Sequence, residues 1–104
     1  MSRYTLEIEL DAQKWLDNEP LSISAYIQRV LESICGNPRL MGEPVRNRAM
    51  SRPGIGQPYR FKVKAVYPEY GGVRIIYYVI DQPSSKVIVF KIALCDEDPY
   101  QNGG

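Results

Sequence analysis

The stretch that decides the fold runs from Tyr59 to Leu94. It opens with Tyr59-Arg60-Phe61-Lys62-Val63-Lys64, continues through the loop Tyr67-Pro68-Glu69-Tyr70-Gly71-Gly72 into Val73-Arg74-Ile75-Ile76-Tyr77-Tyr78-Val79-Ile80-Asp81, and closes with Lys86-Val87-Ile88-Val89-Phe90-Lys91-Ile92-Ala93-Leu94. Side chains on a strand alternate between faces. Tyr59, Phe61, Val63 and Ala65 therefore point one way, and Arg60, Lys62 and Lys64 the other. Cations in a row repel one another and support no core, so this face requires open solvent or an anion. Arg74, near the start of the following strand, adds to the set.

The segment predicts three strands, over 59–66, 73–80 and 86–94, with a hairpin turn at Asp81-Gln82-Pro83-Ser84-Ser85. The second is apolar on both faces apart from Arg74, and most of the third is too. Strands of that kind lie centrally, beneath a layer of helices.

Upstream, Tyr4, Leu6, Ile8 and Leu10 alternate with Thr5, Glu7 and Glu9, which predicts a half-buried strand over 3–10. Asp11 is the expected cap of a short helix through Asp17, packed by Trp15 and Leu16. Beyond Asn18-Glu19-Pro20, Ser22 or Ser24 opens a longer helix whose Ile23, Ile27, Val30, Leu31 and Ile34 form one apolar stripe. Gly36 suits a left-handed position after it, and Pro38 stops it. Residues 37–58 show no period and read as a long exposed connection, with a short strand or turn near Pro44 to Arg46. The fold class is α+β: two N-terminal helices packed on a small antiparallel β-sheet, in the order β-α-α-β-β-β.

The 104 residues are expected to make a single domain, 1–104. No apolar run has the length of a membrane span, and Met1-Ser2-Arg3-Tyr4 does not open a signal peptide, so the expected location is the cytoplasm, without membrane contact. Cys35 and Cys95 form no Cys-x-x-Cys pair and the chain has no histidine, which predicts buried thiols and neither a metal site nor a cofactor. The net charge of +1 is unevenly spread. Residues 39–64 hold Arg39, Arg46, Arg48, Arg52, Arg60, Lys62 and Lys64 against Glu43, a net +6, and the rest of the chain carries −5. That asymmetry points to one face for a polyanion.

Without histidine there is no Ser-His or Cys-His nucleophile pair. Gly54-Ile55-Gly56 lacks the rest of a phosphate-binding signature. The chemistry on offer is cationic, with tyrosines near it, and it suits phosphodiester cleavage through the RNA 2′-hydroxyl. That reaction needs a base, positive charge at the phosphate and a donor at the leaving oxygen.

Several stretches together resemble the RelE/ParE superfamily of toxins from type II toxin–antitoxin systems. They are the strand-helix-helix-meander order, Asn37-Pro38-Arg39, Tyr59-Arg60-Phe61-Lys62-Val63, the strand Val73 to Asp81, Val87-Ile88-Val89-Phe90 and the late Tyr100. The resemblance covers nearly the whole chain. It implies a cytoplasmic toxin held by a cognate antitoxin and, in the RelE branch, an endoribonuclease that inhibits translation by cutting mRNA in the ribosomal A site. Under it, Lys62 or Lys64 is the base, Arg60 and Arg74 stabilise the phosphate, and Tyr100 stacks on a base or relays a proton. An antitoxin would lie along Ile23 to Ile34 or beside a sheet edge. The chain departs from the pattern in Arg60, where lysine is common, and in Asp96-Glu97-Asp98, where an arginine is usual. These departures, with the near-neutral charge, keep open a ParE-like gyrase inhibitor, a catalytically inactive protein-binding module of the same fold, or an unrelated α+β domain.

Overall fold

The structure is a computed structural model and describes residues 3–45, 57–80 and 85–97. In chain order it contains β1 (Thr5–Ile8), α1 (Leu10–Asp17), α2 (Leu21–Gly36), α3 (Pro38–Met41), β2 (Glu43–Pro44), β3 (Pro58–Val63), β4 (Val73–Ile80) and β5 (Lys86–Leu94). The strands make one sheet in the order β1-β5-β4-β3-β2. β3, β4 and β5 form the antiparallel meander that the sequence predicts, and β4 and β5 have the expected bounds.

The sheet is mixed, because β1 runs parallel to β5 with Thr5 opposite Lys86 and Ile8 opposite Val89. Alternation along a strand reports its two faces and says nothing of its direction. Here α1 and α2 form part of the long crossover that a parallel pair requires. β1 also ends earlier than expected. Leu10 opens α1 and is 70% exposed, so it joins no core face.

Each helix follows from its apolar spacing. In α1, Ala12 and Leu16 are buried and Trp15 packs against them. The expected cap, Asp11, lies instead in the first turn, where its charge complements the helix dipole, and pairs with Lys91 at 3.3 Å. The N-cap position is Glu9, which makes no side-chain capping bond. In α2 the stripe is present: Ile27, Leu31 and Ile34 are fully buried, with Ile23 and Val30 at its margins. Gly36 is the last residue of that helix and takes no left-handed conformation. The corner falls on Asn37, at φ −159° and ψ 70°, and Pro38 then opens α3 at a first-turn position that needs no N–H. Cys35 accepts a 3.0 Å hydrogen bond from the Tyr4 amide, tying the foot of α2 to the start of β1.

Two apolar layers flank the sheet. The helix side holds Val73, Ile75, Tyr77, Val87, Val89 and Ile92 beneath α1 and α2. The other side holds a smaller cluster of Val45, Ile76, Tyr78, Ile88 and Phe90, in which the rings of Tyr78 and Phe90 stack at 4.4 Å. A register shift makes room for this second layer. Ile76 faces Lys91 and Tyr77 faces Val89, so Phe90 is the extra residue of a bulge. Full burial of an aliphatic or aromatic side chain contributes about 1.5–3 kcal/mol, and β4 places such residues on both of its faces. Both cysteines are free and buried, and burial raises the pKa of the Cys35 thiol. No described helix is long and apolar enough to cross a membrane.

Candidate nucleic-acid interface

Register alone assembles the cationic patch. Lys62 of β3 stands directly opposite Arg74 of β4, and Arg60, two residues along β3, stands opposite Ile76. All three therefore share the sheet face turned away from α1 and α2. On the reverse side of β3, Tyr59, Phe61 and Val63 pack against the helical core. Lys62 is exposed, whereas Arg74 is half-buried with its Nε withdrawn from solvent. The Lys62–Arg74 juxtaposition thus sets two cationic side chains side by side on this face.

Lys64 does not belong to this row. β3 ends at Val63, and Lys64 and Ala65 are exposed residues of the turn that follows. The strand stops there because the last pair of the ladder is Val63 with Val73, immediately beside the sharp reversal at Gly71 and Gly72. Gly72 has φ +94°, and a Cβ there would lie 2.6 Å from the Val63 carbonyl oxygen. Only glycine combines that backbone angle with so close an approach. Tyr67, itself left-handed at φ 52°, fixes the rest of the loop by donating its hydroxyl to Glu19 at 2.6 Å. That hydrogen bond is the leading cause of the raised Tyr67 pKa.

The sequence-based site leaves out Glu43. Two-residue β2 aligns Glu43 with Arg60, and the carboxylate accepts from Arg60 Nε at 2.9 Å. Glu43 is the one anion among the seven cations of residues 39–64, a signal that could have marked it. Its position is set from the core. Tyr77, completely buried, stacks on Tyr59 and donates its hydroxyl to the Pro38 carbonyl at 2.6 Å. The backbone of Gly42 runs so close to that hydroxyl that a side chain has no room. α3 and β2 are thus latched to the sheet through one phenol. Burial is the main cause that pushes the Tyr77 pKa far up.

The result is an open cleft of about 360 Å³ where α3 and β2 meet β3. Its polar edge carries Glu43, Arg60 and Lys62, and its apolar wall Leu40, Met41 and Phe61. A carboxylate, a guanidinium and an amine in one cleft can accept a proton, hold a phosphate and donate a proton. Arg74 lies across the ladder from Lys62 and can supply a second guanidinium. Tyr100 and Asp98 lie outside the described residues. Asp96 and Glu97 follow β5 as exposed residues of a short helical turn. Among the described residues no cluster of histidine, cysteine or carboxylate groups is arranged to hold a metal ion.

No protein-family model and no curated protein sequence matches the chain. Solved structures do. A double arginine-to-alanine mutant of the E. coli toxin RelE, in the free state, is similar over 98% of this chain and 94% of its own, at a TM-score of 0.64 and 19% identity. A RelBE toxin–antitoxin complex from Mycobacterium tuberculosis is similar at a TM-score of 0.67 and 17% identity, covering 93% of this chain and 97% of that one. The intact E. coli RelBE toxin–antitoxin complex is similar at 0.60 and 21% identity, over 86% and 94%. The mixed five-stranded sheet with three helices, built around the β3-β4-β5 meander that the sequence predicts, therefore has the fold of the RelE toxins.

Proposed function

We propose that this chain is the toxin of a type II toxin–antitoxin system and that it inhibits translation by cutting mRNA in the ribosomal A site. The observation that carries this reading is the cross-strand register, which sets Lys62 against Arg74 with Arg60 adjacent, beside a carboxylate. In the reaction the RNA 2′-oxygen attacks the neighbouring phosphorus and the bond from phosphorus to the 5′-oxygen breaks. The products are a 2′,3′-cyclic phosphate and a 5′-hydroxyl. Arg60 and Arg74 stabilise the charge that grows on the phosphate oxygens. Lys62 is exposed at the polar edge of the cleft. Its role is then to donate to the departing 5′-oxygen, and Glu43 accepts the 2′-hydroxyl proton. Tyr100 retains the stacking role that the family resemblance implies. Location in the cytoplasm belongs to this proposal.

The partner is a cognate antitoxin. Ile27, Leu31 and Ile34 are buried in the core, while Leu21, Ser24, Ala25 and Gln28 of α2 line an open groove beside the end of α1, so that groove and the sheet edge are the two places an antitoxin would lie. A second reading, a ParE-like gyrase inhibitor or an inactive binding module, is favoured by the acidic turn at Asp96 and Glu97. Inducible expression in bacteria separates the readings. The nuclease reading requires growth arrest and new mRNA ends inside ribosome-bound codons, both abolished by Arg74→Ala in a folded protein. Arrest with intact mRNA would transfer the proposal to gyrase, and a folded protein that causes no arrest would leave the binding module.

A further inference from the structure

We infer that the cleft between α3 and β3 is a nucleobase subsite, with Leu40 and Met41 as the apolar wall that receives the flat face of a base whose phosphate lies on Lys62 and Arg60. The inference rests on reading this face as RNA-binding and adds to it the group that the site grips besides phosphate. Three observations converge. The cleft of about 360 Å³ is amphipathic, with Leu40, Met41 and Phe61 on one side and Glu43, Arg60 and Lys62 on the other. A nucleotide has the same division, an apolar ring joined to an anion. Leu40 is 78% exposed at the lip of this cleft, next to the most basic part of the sequence. Finally, the backbone of the wall is anchored. α3 hangs from the buried Tyr77 hydroxyl through Pro38, and Gly42 admits no side chain beside it. A wall whose backbone is already in place loses less freedom on binding than one that must first be ordered.

The chemistry also sets the selectivity. Apolar contact with a ring face tolerates every base and grows with ring area, as stacking platforms for single strands do. Purines are therefore favoured over pyrimidines, and the phosphate contact is common to all. Residues 40–43 reach this position only because α3 breaks the connection after α2.

The test is a methyl-labelled NMR titration of the whole chain with adenosine 5′-monophosphate, uridine 5′-monophosphate and ribose 5-phosphate. Expected are shifts of the Leu40 and Met41 methyl signals with adenosine monophosphate, and an affinity for it about tenfold above that for ribose 5-phosphate. Leu40→Ser, at an exposed position, should bring adenosine monophosphate down to the ribose phosphate level while leaving ribose phosphate binding intact. Lys62→Glu should weaken all three ligands. Equal binding of adenosine monophosphate and ribose 5-phosphate, or Leu40 methyl signals that stay still, overturns the subsite. Nuclease function is read separately, by mRNA ends. Cutting without base binding refutes only the subsite, and base binding without cutting refutes only the enzyme.

Discussion

Replacing Tyr77 with phenylalanine removes one oxygen and tests how the candidate site is held. The ring can stay in its buried stack with Tyr59, so packing is conserved. What disappears is the 2.6 Å hydrogen bond to Pro38. A typical intramolecular hydrogen bond contributes about 0.5–1.5 kcal/mol net, and stranding a buried acceptor costs about 1–3 kcal/mol. Pro38 keeps a long bond from the Gly42 amide at 3.4 Å, so the expected loss is about 1–2 kcal/mol. For a domain of this size that lowers the midpoint of thermal unfolding by about 4–16 °C. Urea titration followed by circular dichroism should show a lower midpoint with an unchanged slope. The effect also depends on pH. Burial raises the Tyr77 pKa above its ordinary value of 10.0, with Tyr59 adding to the rise and the Gly42 amide opposing it. The unfolded chain gives up this proton first, so the stabilisation is intact below pH 10 and is lost as pH climbs further. The gap between wild type and Tyr77→Phe should therefore narrow above pH 10. A difference below about 0.5 kcal/mol at neutral pH would refute the latch, and a gap that widens in alkali would refute the burial argument.

Gly72→Ala combines a forbidding φ with contact against the Val63 carbonyl and should destabilise by about 2–4 kcal/mol in the same titration; a loss under about 1 kcal/mol would contradict the geometry at that turn. Glu43→Gln should slow mRNA cleavage by about 10²–10⁴-fold, as loss of a general base does, while stability changes by less than about 1 kcal/mol because exposed ion pairs are weak. Cleavage at the wild-type rate would return the base role to Lys62. Lys62→Ala should weaken binding to single-stranded RNA and reduce the salt slope by about 0.7, measured by fluorescence anisotropy; an unchanged slope would mean that Lys62 meets no phosphate. Cys35 and Cys95 should react slowly with a thiol reagent in the folded protein and rapidly in denaturant, since both are buried; rapid labelling without denaturant would place them at the surface.

The most legible elements are those that bury side chains on two faces or at one period. β4 and β5 are continuous apolar runs, the first starting directly after Gly71-Gly72, so hydrophobicity itself marks their extent. The stripe of α2 is equally plain. α3 is not, because four residues show no period, and Pro38 serves as a stop signal and a first-turn residue equally well. Lys64 looks like part of the basic row because alternation continues one residue past the ladder, whereas the strand is ended by Gly72 from the neighbouring turn. Of the site, register brings together Arg60, Lys62 and Arg74, which strand alternation and adjacency in a meander anticipate. Glu43 comes from a strand of two residues whose place is set by Tyr77, a contact between residues 39 positions apart that no local pattern records.

The pairing of β1 with β5 carries one more consequence. Glu7 and Lys86, bonded across these neighbouring strands, are separated by 79 positions. The first strand to leave a ribosome thus waits for the last one before its edge is covered, and contacts so distant along the chain slow folding. The sheet that carries the cationic face is therefore complete only once synthesis has passed β5.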